Sequence, residues 1–257
     1  GIITRPNTKH ICICLTPTRY LWSEFLTYFS NKISRFLLHP VISYLRFWDK
    51  TASARPDVII AISKTVQSRI KKYYGRDSEV IYPPLFLGSA SANSHKPAAI
   101  SQSGYFLVVS RLSRFSPHKK VEVAIEAANR LGFKLKVVGE GDVGHFKQMA
   151  GKTVEIVGRV TDGELESYYK GCSALIFPGV EDFGLVMVEA QSYGKPVIAY
   201  RSGGATEIVI EGETGEFFDK PTVSALVAAL KLFNKNKYNK QSCIKNAERF
   251  NKNQFVS

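Results

Sequence analysis

Residues Ala174 to Tyr200 read ALIFPGVEDFGLVMVEAQSYGKPVIAY, and the fold is decided there. Ala174 to Phe177 is a short apolar run closed by Pro178-Gly179, the pattern of a buried strand. Val180-Glu181-Asp182 is a polar loop. Leu185 to Tyr193 has helical periodicity and is stopped by Gly194 and Pro196, and Val197 to Tyr200 is the next strand. Strand, loop, helix and strand in this order form one repeat of a parallel α/β sheet.

Two glutamates, Glu181 and Glu189, stand eight positions apart in this stretch. One lies in the loop before the helix, the other about one turn inside it. A helix N-terminus reached through a glycine-containing loop offers free backbone N–H groups and the positive end of the dipole to a phosphate. Gly184 lets the backbone of Phe183, Gly184 and Leu185 come close to a diphosphate. Glu181 would then reach sugar hydroxyls beyond the phosphates, and Glu189 ribose hydroxyls on their other side. The plain alternative is an ordinary βαβ unit with Glu181 as a loop acid and Glu189 as a solvated helix residue.

The segment PGVEDFGLVMVEAQSYGKPVIA resembles the signature of retaining glycosyltransferases of the GT-B type, in the large family 4 that includes bacterial mannosyltransferases. Their motif is an acid, seven residues and a second acid, with Phe-Gly soon after the first. Glu181-Asp182-Phe183-Gly184-Leu185-Val186-Met187-Val188-Glu189 is similar to it, and the sequel Arg201-Ser202-Gly203-Gly204-Ala205-Thr206-Glu207 also resembles that family. The resemblance implies two Rossmann-like, doubly wound parallel-sheet domains facing across a cleft.

Composition is compatible with this. The chain has 257 residues, 44% of them hydrophobic and 22% charged, enough for a sizeable core in one or two globular domains. A net charge of +13 suits an anionic nucleotide sugar, an anionic membrane surface or nucleic acid. No nucleic-acid-binding motif supports the last. Cys12, Cys14, Cys172 and Cys243 have neither metal-site spacing nor a disulfide framework and read as reduced thiols. No signal peptide is visible and no apolar run is long enough to span a bilayer. The expectation is a cytoplasmic protein, peripheral at the inner face of the membrane if it meets lipid at all.

Upstream of the signature, Tyr105 to Ser110 reads as a strand followed by Arg111, and Lys119-Lys120 precede a helix over Val121 to Leu131. A cation at a strand end and another at the next helix start would lie at the C-terminal edge of the sheet, where doubly wound folds bind ligands. They would neutralise a departing diphosphate; two unrelated surface cations are the alternative. SRLSRFSPHKKVEVAIEA resembles the family's donor-phosphate segment, with Arg111 and Lys119 at the matching positions. Lys134 to Val138 is a strand leading into Gly139-Glu140-Gly141-Asp142, and Val154 to Val157 leads into Gly158-Arg159-Val160. The resemblance implies that the first loop lines the nucleotide pocket and that the backbone at Arg159 and Val160 meets the base. Thr161 or Asp162 caps a helix reaching Lys170.

Downstream, Gly203-Gly204 opens a short helix, Gly212 to Gly215 is a tight turn, and Ser224 to Phe233 is an amphipathic helix. Lys235 to Lys240 is a solvated run. Ala247 to Phe250 resembles the start of the family's last helix.

The N-terminal part begins with residues 1–9 and an apolar strand, Ile11 to Leu15. The family's first βα unit has no counterpart, so the N-terminal domain is expected to be incomplete. Thr16-Pro17-Thr18-Arg19-Tyr20 resembles a segment usually preceded by His, where Leu15 stands here; Thr16 reads as a helix N-cap. Phe25 to Trp48, rich in aromatic and basic residues, reads as an internal domain helix interrupted at Pro40, with an interfacial membrane helix as the alternative. Asp57 to Ser63, Thr65 to Tyr74 and Glu79 to Tyr82 read as strand, helix and strand, with Pro83-Pro84 as a stop. The expected organisation is 1–87, a partial acceptor-side domain; 88–103, a linker; 104–234, a nucleotide-sugar-binding domain; and 235–257, a C-terminal helical segment.

The resemblance implies retaining, metal-independent transfer of a sugar, mannose first, from a GDP- or UDP-linked donor to a glycan or lipid-linked acceptor in cell-surface polysaccharide synthesis. Arg111, Lys119 and Glu181 are the expected catalytic residues. No cofactor beyond the donor substrate is implied. The rival expectation is a non-catalytic fragment that binds nucleotide sugar or associates with a membrane.

Overall fold

The computed structural model describes Arg5 and residues 7–29, 31–85, 104–114, 116 and 118–251. The chain divides into two compact units, one on each side of the Pro83–Pro84 bond. The stretch 88–103, expected as a linker, lies outside the described residues.

The first unit runs β1 (Ile11–Cys14), α1 (Phe25–Tyr28), α2 (Lys32–Ser53), β2 (Val58–Ala61), α3 (Lys64–Tyr74) and β3 (Glu79–Val80). Its three strands are parallel, in the order β1-β2-β3. The core is small: Ile59 and Ala61 meet Val66 and Ile70 of α3, with Cys14, Ile62, Tyr74 and Val80 around them. Ser63 caps α3 through its hydroxyl, and Gly75 closes it in the left-handed conformation at φ 72°, where a glycine costs least.

Two expectations fail in this unit. Thr16 caps no helix; residues 19–24 are turns, and the Thr16 hydroxyl accepts instead from Arg69 (3.3 Å). Those turns bring Trp22 onto Asp49, whose carboxylate accepts from the Trp22 indole (2.7 Å), the Tyr74 hydroxyl (2.9 Å) and the Thr18 hydroxyl (3.1 Å). Pro40 does not interrupt α2 either, which is continuous for 22 residues. A proline deletes its own N–H bond and crowds the preceding turn. Here the half beyond it is held by buried Ile42, by Asp49, and by Arg46, which donates to the Leu21 carbonyl (2.7 Å) and lies over Trp22 and Phe25.

The second unit runs β4 (Tyr105–Val109), α4 (Val121–Leu131), β5 (Leu135–Val138), α5 (Val143–Met149), β6 (Val154–Gly158), α6 (Asp162–Gly171), β7 (Cys172–Phe177), α7 (Leu185–Ser192), β8 (Val197–Tyr200), α8 (Ala205–Ile208), β9 (Gly215–Phe218), α9 (Val223–Leu232) and α10 (Lys240–Glu248). All its strands are parallel, in the order β6-β5-β4-β7-β8-β9. Counted within the unit this is 3-2-1-4-5-6, the Rossmann order, whose topological switch point lies between its first and fourth strands. Those are β4 and β7.

Strands buried on both faces read as continuous apolar runs, as FLVV of β4 and ALIF of β7 do. Val108, Ala174, Ile176 and Ile198 pack with α4, α5 and α9 in one core. The intervening Leu107, Leu175, Val197 and Ala199 are equally buried, and α6 and α7 pack against their strands. Sequence reading found neither α5 nor β9. It also placed the last helix too late: Ala247 and Glu248 end α10, which Asn239 caps and which packs on α7. Among the described residues no helix is long and apolar enough to cross a membrane.

Candidate functional site

Loops leaving the C-terminal ends of β4, β5, β6, β7 and β8 converge on the switch point. The β4 and β5 loops run side by side, with the Leu112 N–H donating to the Glu140 carbonyl (2.8 Å) and the Asp142 N–H to the Leu112 carbonyl (2.7 Å). Only glycine fits at 139 and 141, since a Cβ there would sit 1.8 Å from the Ser110 oxygen and 2.0 Å from the Leu112 oxygen. The two loops border an open depression of about 510 Å³ lined by Arg111, Leu112, Ser113, Glu140, Gly141 and Asp142. Exposed Arg159, just past β6, pairs with Glu140 at 3.4 Å. Val160 follows it, half-buried.

On the β7 side, the Val180 N–H donates to the His118 carbonyl (2.9 Å). Gly179 passes so close to the β4 loop that a Cβ would stand 2.5 and 2.6 Å from the carbonyl oxygens of His118 and Lys119. Lys120 is the N-cap of α4 at φ 52°, the only non-glycine residue with positive φ among those described. Its neighbour Lys119 is turned towards β7, where its ammonium is bonded to the Glu181 carboxylate. Both side chains are about three-quarters covered, at 21% and 27% exposure.

The β8 loop closes the site from behind. The Gly204 N–H donates to the Glu181 carbonyl (2.9 Å), and a Cβ on Gly204 would lie 2.0 Å from the Phe183 oxygen. Phe183 is buried edge-on against Phe250 (5.3 Å between centroids). Gly184, at φ 99°, begins α7 with no side-chain cap; the Met187 N–H donates back to the Gly184 carbonyl (3.0 Å), as helix starts do where i−4 partners are lacking. Leu185, the first helical residue, is exposed.

Glu189 lies one turn into α7. Its Oε2 accepts a 2.6 Å hydrogen bond from the hydroxyl of Tyr169 on α6. Burial pushes the Glu189 carboxyl above its ordinary value, while the bond from Tyr169 pulls it back down. Burial also pushes the Tyr169 phenol well up, with Glu189 beside it adding to the shift. The structure therefore brings Lys119 to Glu181 and sets Arg111 and Arg159 around the β5 loop. Tyr169 escaped sequence reading because its bond crosses between two helices; at sequence level it is one of two adjacent tyrosines near a helix end.

Cys172 and Cys243 are buried free thiols whose pKa burial pushes up to about 12 and about 11, so both stay protonated and inert.

The profile of the family described as "Glycosyl transferases group 1" matches residues 92–250. An uncharacterized glycosyltransferase of Methanocaldococcus jannaschii is 30% identical over 183 residues, 68% of this chain and 49% of that protein. The GDP-mannose-dependent alpha-(1-6)-phosphatidylinositol monomannoside mannosyltransferase of Mycolicibacterium smegmatis is 29% identical over 198 residues, 68% of this chain and 52% of that protein. The chain thus spans about half the length of these curated relatives. Among solved structures, Anabaena HepE in complex with UDP and glucose matches with a TM-score of 0.68 at 19% identity, over 94% of this chain and 67% of that one. Sucrose-phosphate synthase from Thermosynechococcus elongatus matches with a TM-score of 0.67 at 19% identity, over 96% and 65%. At these identities the structural matches speak for the fold alone.

Proposed function

The chain belongs to the group 1 glycosyl transferases, and from that premise we propose that it carries the donor site of a retaining glycosyltransferase using a GDP- or UDP-linked sugar, with mannose as the sugar. The observation that carries this reading is the meeting of Lys119 and Glu181 at the β4/β7 switch point, where Rossmann-type sheets take their ligands. Arg111 and Lys119 neutralise the charge that grows on the departing diphosphate, the work a metal does in other transferases. Glu181 orients the sugar. Glu189 accepts from the ribose hydroxyls. The backbone around Phe183, Gly184 and Leu185 at the start of α7 faces the phosphates, and the backbone of Arg159 and Val160 lies against the base.

In the reaction, an acceptor hydroxyl oxygen bonds to the anomeric carbon on the face from which the diphosphate leaves. The carbon–phosphate oxygen bond breaks, its electron pair stays on the diphosphate, and a phosphate oxygen takes the acceptor's proton. The stereochemistry is retained. The acceptor is a glycan or lipid-linked sugar of cell-surface polysaccharide synthesis, met on the cytoplasmic face of an anionic membrane that the +13 net charge attracts. Mannose is supported by the GDP-mannose dependence of the mycobacterial relative.

A second reading, donor binding without turnover, rests on Leu15, which stands where the resembled family segment usually carries His. Calorimetric titration of GDP-mannose, UDP-glucose, GDP and UDP into the chain and into Glu189→Ala tests the donor site. Saturable binding of one nucleotide series, weakened by the substitution, is expected. Failure of all four to bind a cooperatively folded sample would end the donor-site reading. A radiolabelled transfer assay then separates enzyme from binder.

A further inference from the structure

We infer that Tyr169 is the positioning residue for Glu189, its hydroxyl fixing the carboxylate in the pose that receives the donor's ribose; this rests on the donor-site reading above. Tyr169 is 2% exposed, and its ring stacks on that of Tyr193, centroids 5.6 Å apart and planes at 11°. The end of α6 is fixed in turn by the Cys172 thiol, which donates to the Tyr169 carbonyl (3.3 Å). The phenol has little freedom, and it aims a 2.6 Å bond at Glu189 Oε2. Among the described residues Oε2 takes the only hydrogen bond given to this carboxylate, which leaves Oε1 for a ligand donor. A glutamate held in one rotamer before binding does not lose that freedom on binding.

The same bond favours the ionised form of Glu189. Burial favours the protonated acid, Asp162 at the start of α6 pushes in the same direction, and Tyr169 opposes both. The other titratable groups facing this pair are Tyr193 and Cys172. Glu166 acts on Tyr193 and Lys195 on Cys172, and the Lys170 ammonium lies 6.0 Å from the Tyr193 ring centroid. None of these donates to the Glu189 carboxylate. A carboxylate accepts two ribose hydroxyl protons; a protonated acid accepts them poorly.

The test is Tyr169→Phe, which keeps the ring stack and removes only the hydroxyl. GDP and UDP are titrated calorimetrically from pH 5 to 8 into wild type, Tyr169→Phe and Glu189→Gln, and the Glu189 carboxyl is followed by ¹³C NMR without nucleotide, assigned through Glu189→Gln. Expected are nucleotide binding weakened on the order of tenfold at neutral pH, an acid limb moved to higher pH, partial recovery at pH 8, and a Glu189 titration displaced upward. General loosening of the fold would weaken binding equally at every pH and leave that titration in place. If Tyr169→Phe binds and titrates like wild type while Glu189→Gln binds weakly, the positioning role is overturned and the donor site stands. If folded wild type binds neither nucleotide, the donor-site reading falls and this inference with it.

Discussion

Lys119 and Glu181 are 62 positions apart in sequence, and they bond across the gap between β4 and β7. Lys119 lies on the segment that follows β4 and Glu181 on the loop that follows β7, and each neutralises the other. On the proposed donor-site reading, a diphosphate entering the site would take the ammonium from the glutamate, because two phosphate charges attract it more strongly than one carboxylate at similar distance. Glu181 would thereby be released towards the sugar. Glu181→Gln should accordingly bind sugar-free GDP or UDP three- to tenfold more tightly than wild type, while sugar transfer falls by about a hundredfold. Lys119→Met should weaken both. Calorimetry with the diphosphates beside a transfer assay checks this; weaker diphosphate binding by Glu181→Gln would mean that the pair organises the site and does not compete for it. Raising the salt concentration should weaken diphosphate binding to wild type more than to Lys119→Met.

Gly204 and Gly132 make opposite predictions for one substitution. Gly204 has helical angles (φ −60°), so alanine is not strained there, but its Cβ would press 2.0 Å from the Phe183 oxygen and 2.5 Å from its Cα. Gly204→Ala must push the Glu181–Phe183 loop aside and should cost about 2–4 kcal/mol, with loss of diphosphate binding. Gly132 ends α4 at φ 71° with nothing within 4 Å of an added Cβ. Gly132→Ala should cost only about 1 kcal/mol of left-handed strain and leave binding unchanged. Urea denaturation of the two variants measures the difference.

Asn246 ties α10 to the helix that carries Glu189. Its amide donates to Gln191 Oε1 (2.5 Å) and to the Ile208 carbonyl (2.6 Å), and Gln191 in turn donates to the Thr214 hydroxyl (3.2 Å). All three side chains are buried. Asn246→Ala strands two buried acceptors and should destabilise the second unit by about 2–3 kcal/mol. Asn246→Asp, which replaces the donor with an acceptor, should be worse at pH 7 than at pH 4.

What the sequence made legible follows from which interactions are local. The strands β4, β7 and β8 are apolar runs between breakers, and Thr161-x-x-Glu164 forms the capping box it spells. Residues 180–184 form the loop their composition suggests. Less legible was whatever depends on partners distant in sequence. Pro40 looks like a stop, and the Ile42, Arg46 and Asp49 contacts explain why α2 runs through it. Strand β9 is short and polar at Glu216, and its place is fixed by pairing with β8. Lys119 and Lys120 are equivalent as letters; the positive φ at Lys120 makes one a cap and turns the other to Glu181. The Tyr169 bond to Glu189 joins two helices separated by β7, and no local pattern encodes it.

Glu189 gives the prediction in which stability and function part company. Its carboxyl is raised above the ordinary 4.5 by burial, so from about pH 4.5 upward the folded state holds this proton more tightly than the unfolded chain. Stability therefore falls as pH rises through that window, and below it both states are protonated and no penalty remains. Glutamine does not ionise, and its carbonyl still accepts from Tyr169. Glu189→Gln should thus melt higher than wild type at pH 7, with the gap closing as pH falls to about 4, while nucleotide binding drops at least tenfold at pH 7. Differential scanning calorimetry over that range, paired with titration of GDP and UDP, reads both effects. A variant less stable than wild type at every pH would make Glu189 a structural acid whose ionised form the fold requires. A variant more stable and binding-deficient identifies a charge kept buried for the ligand.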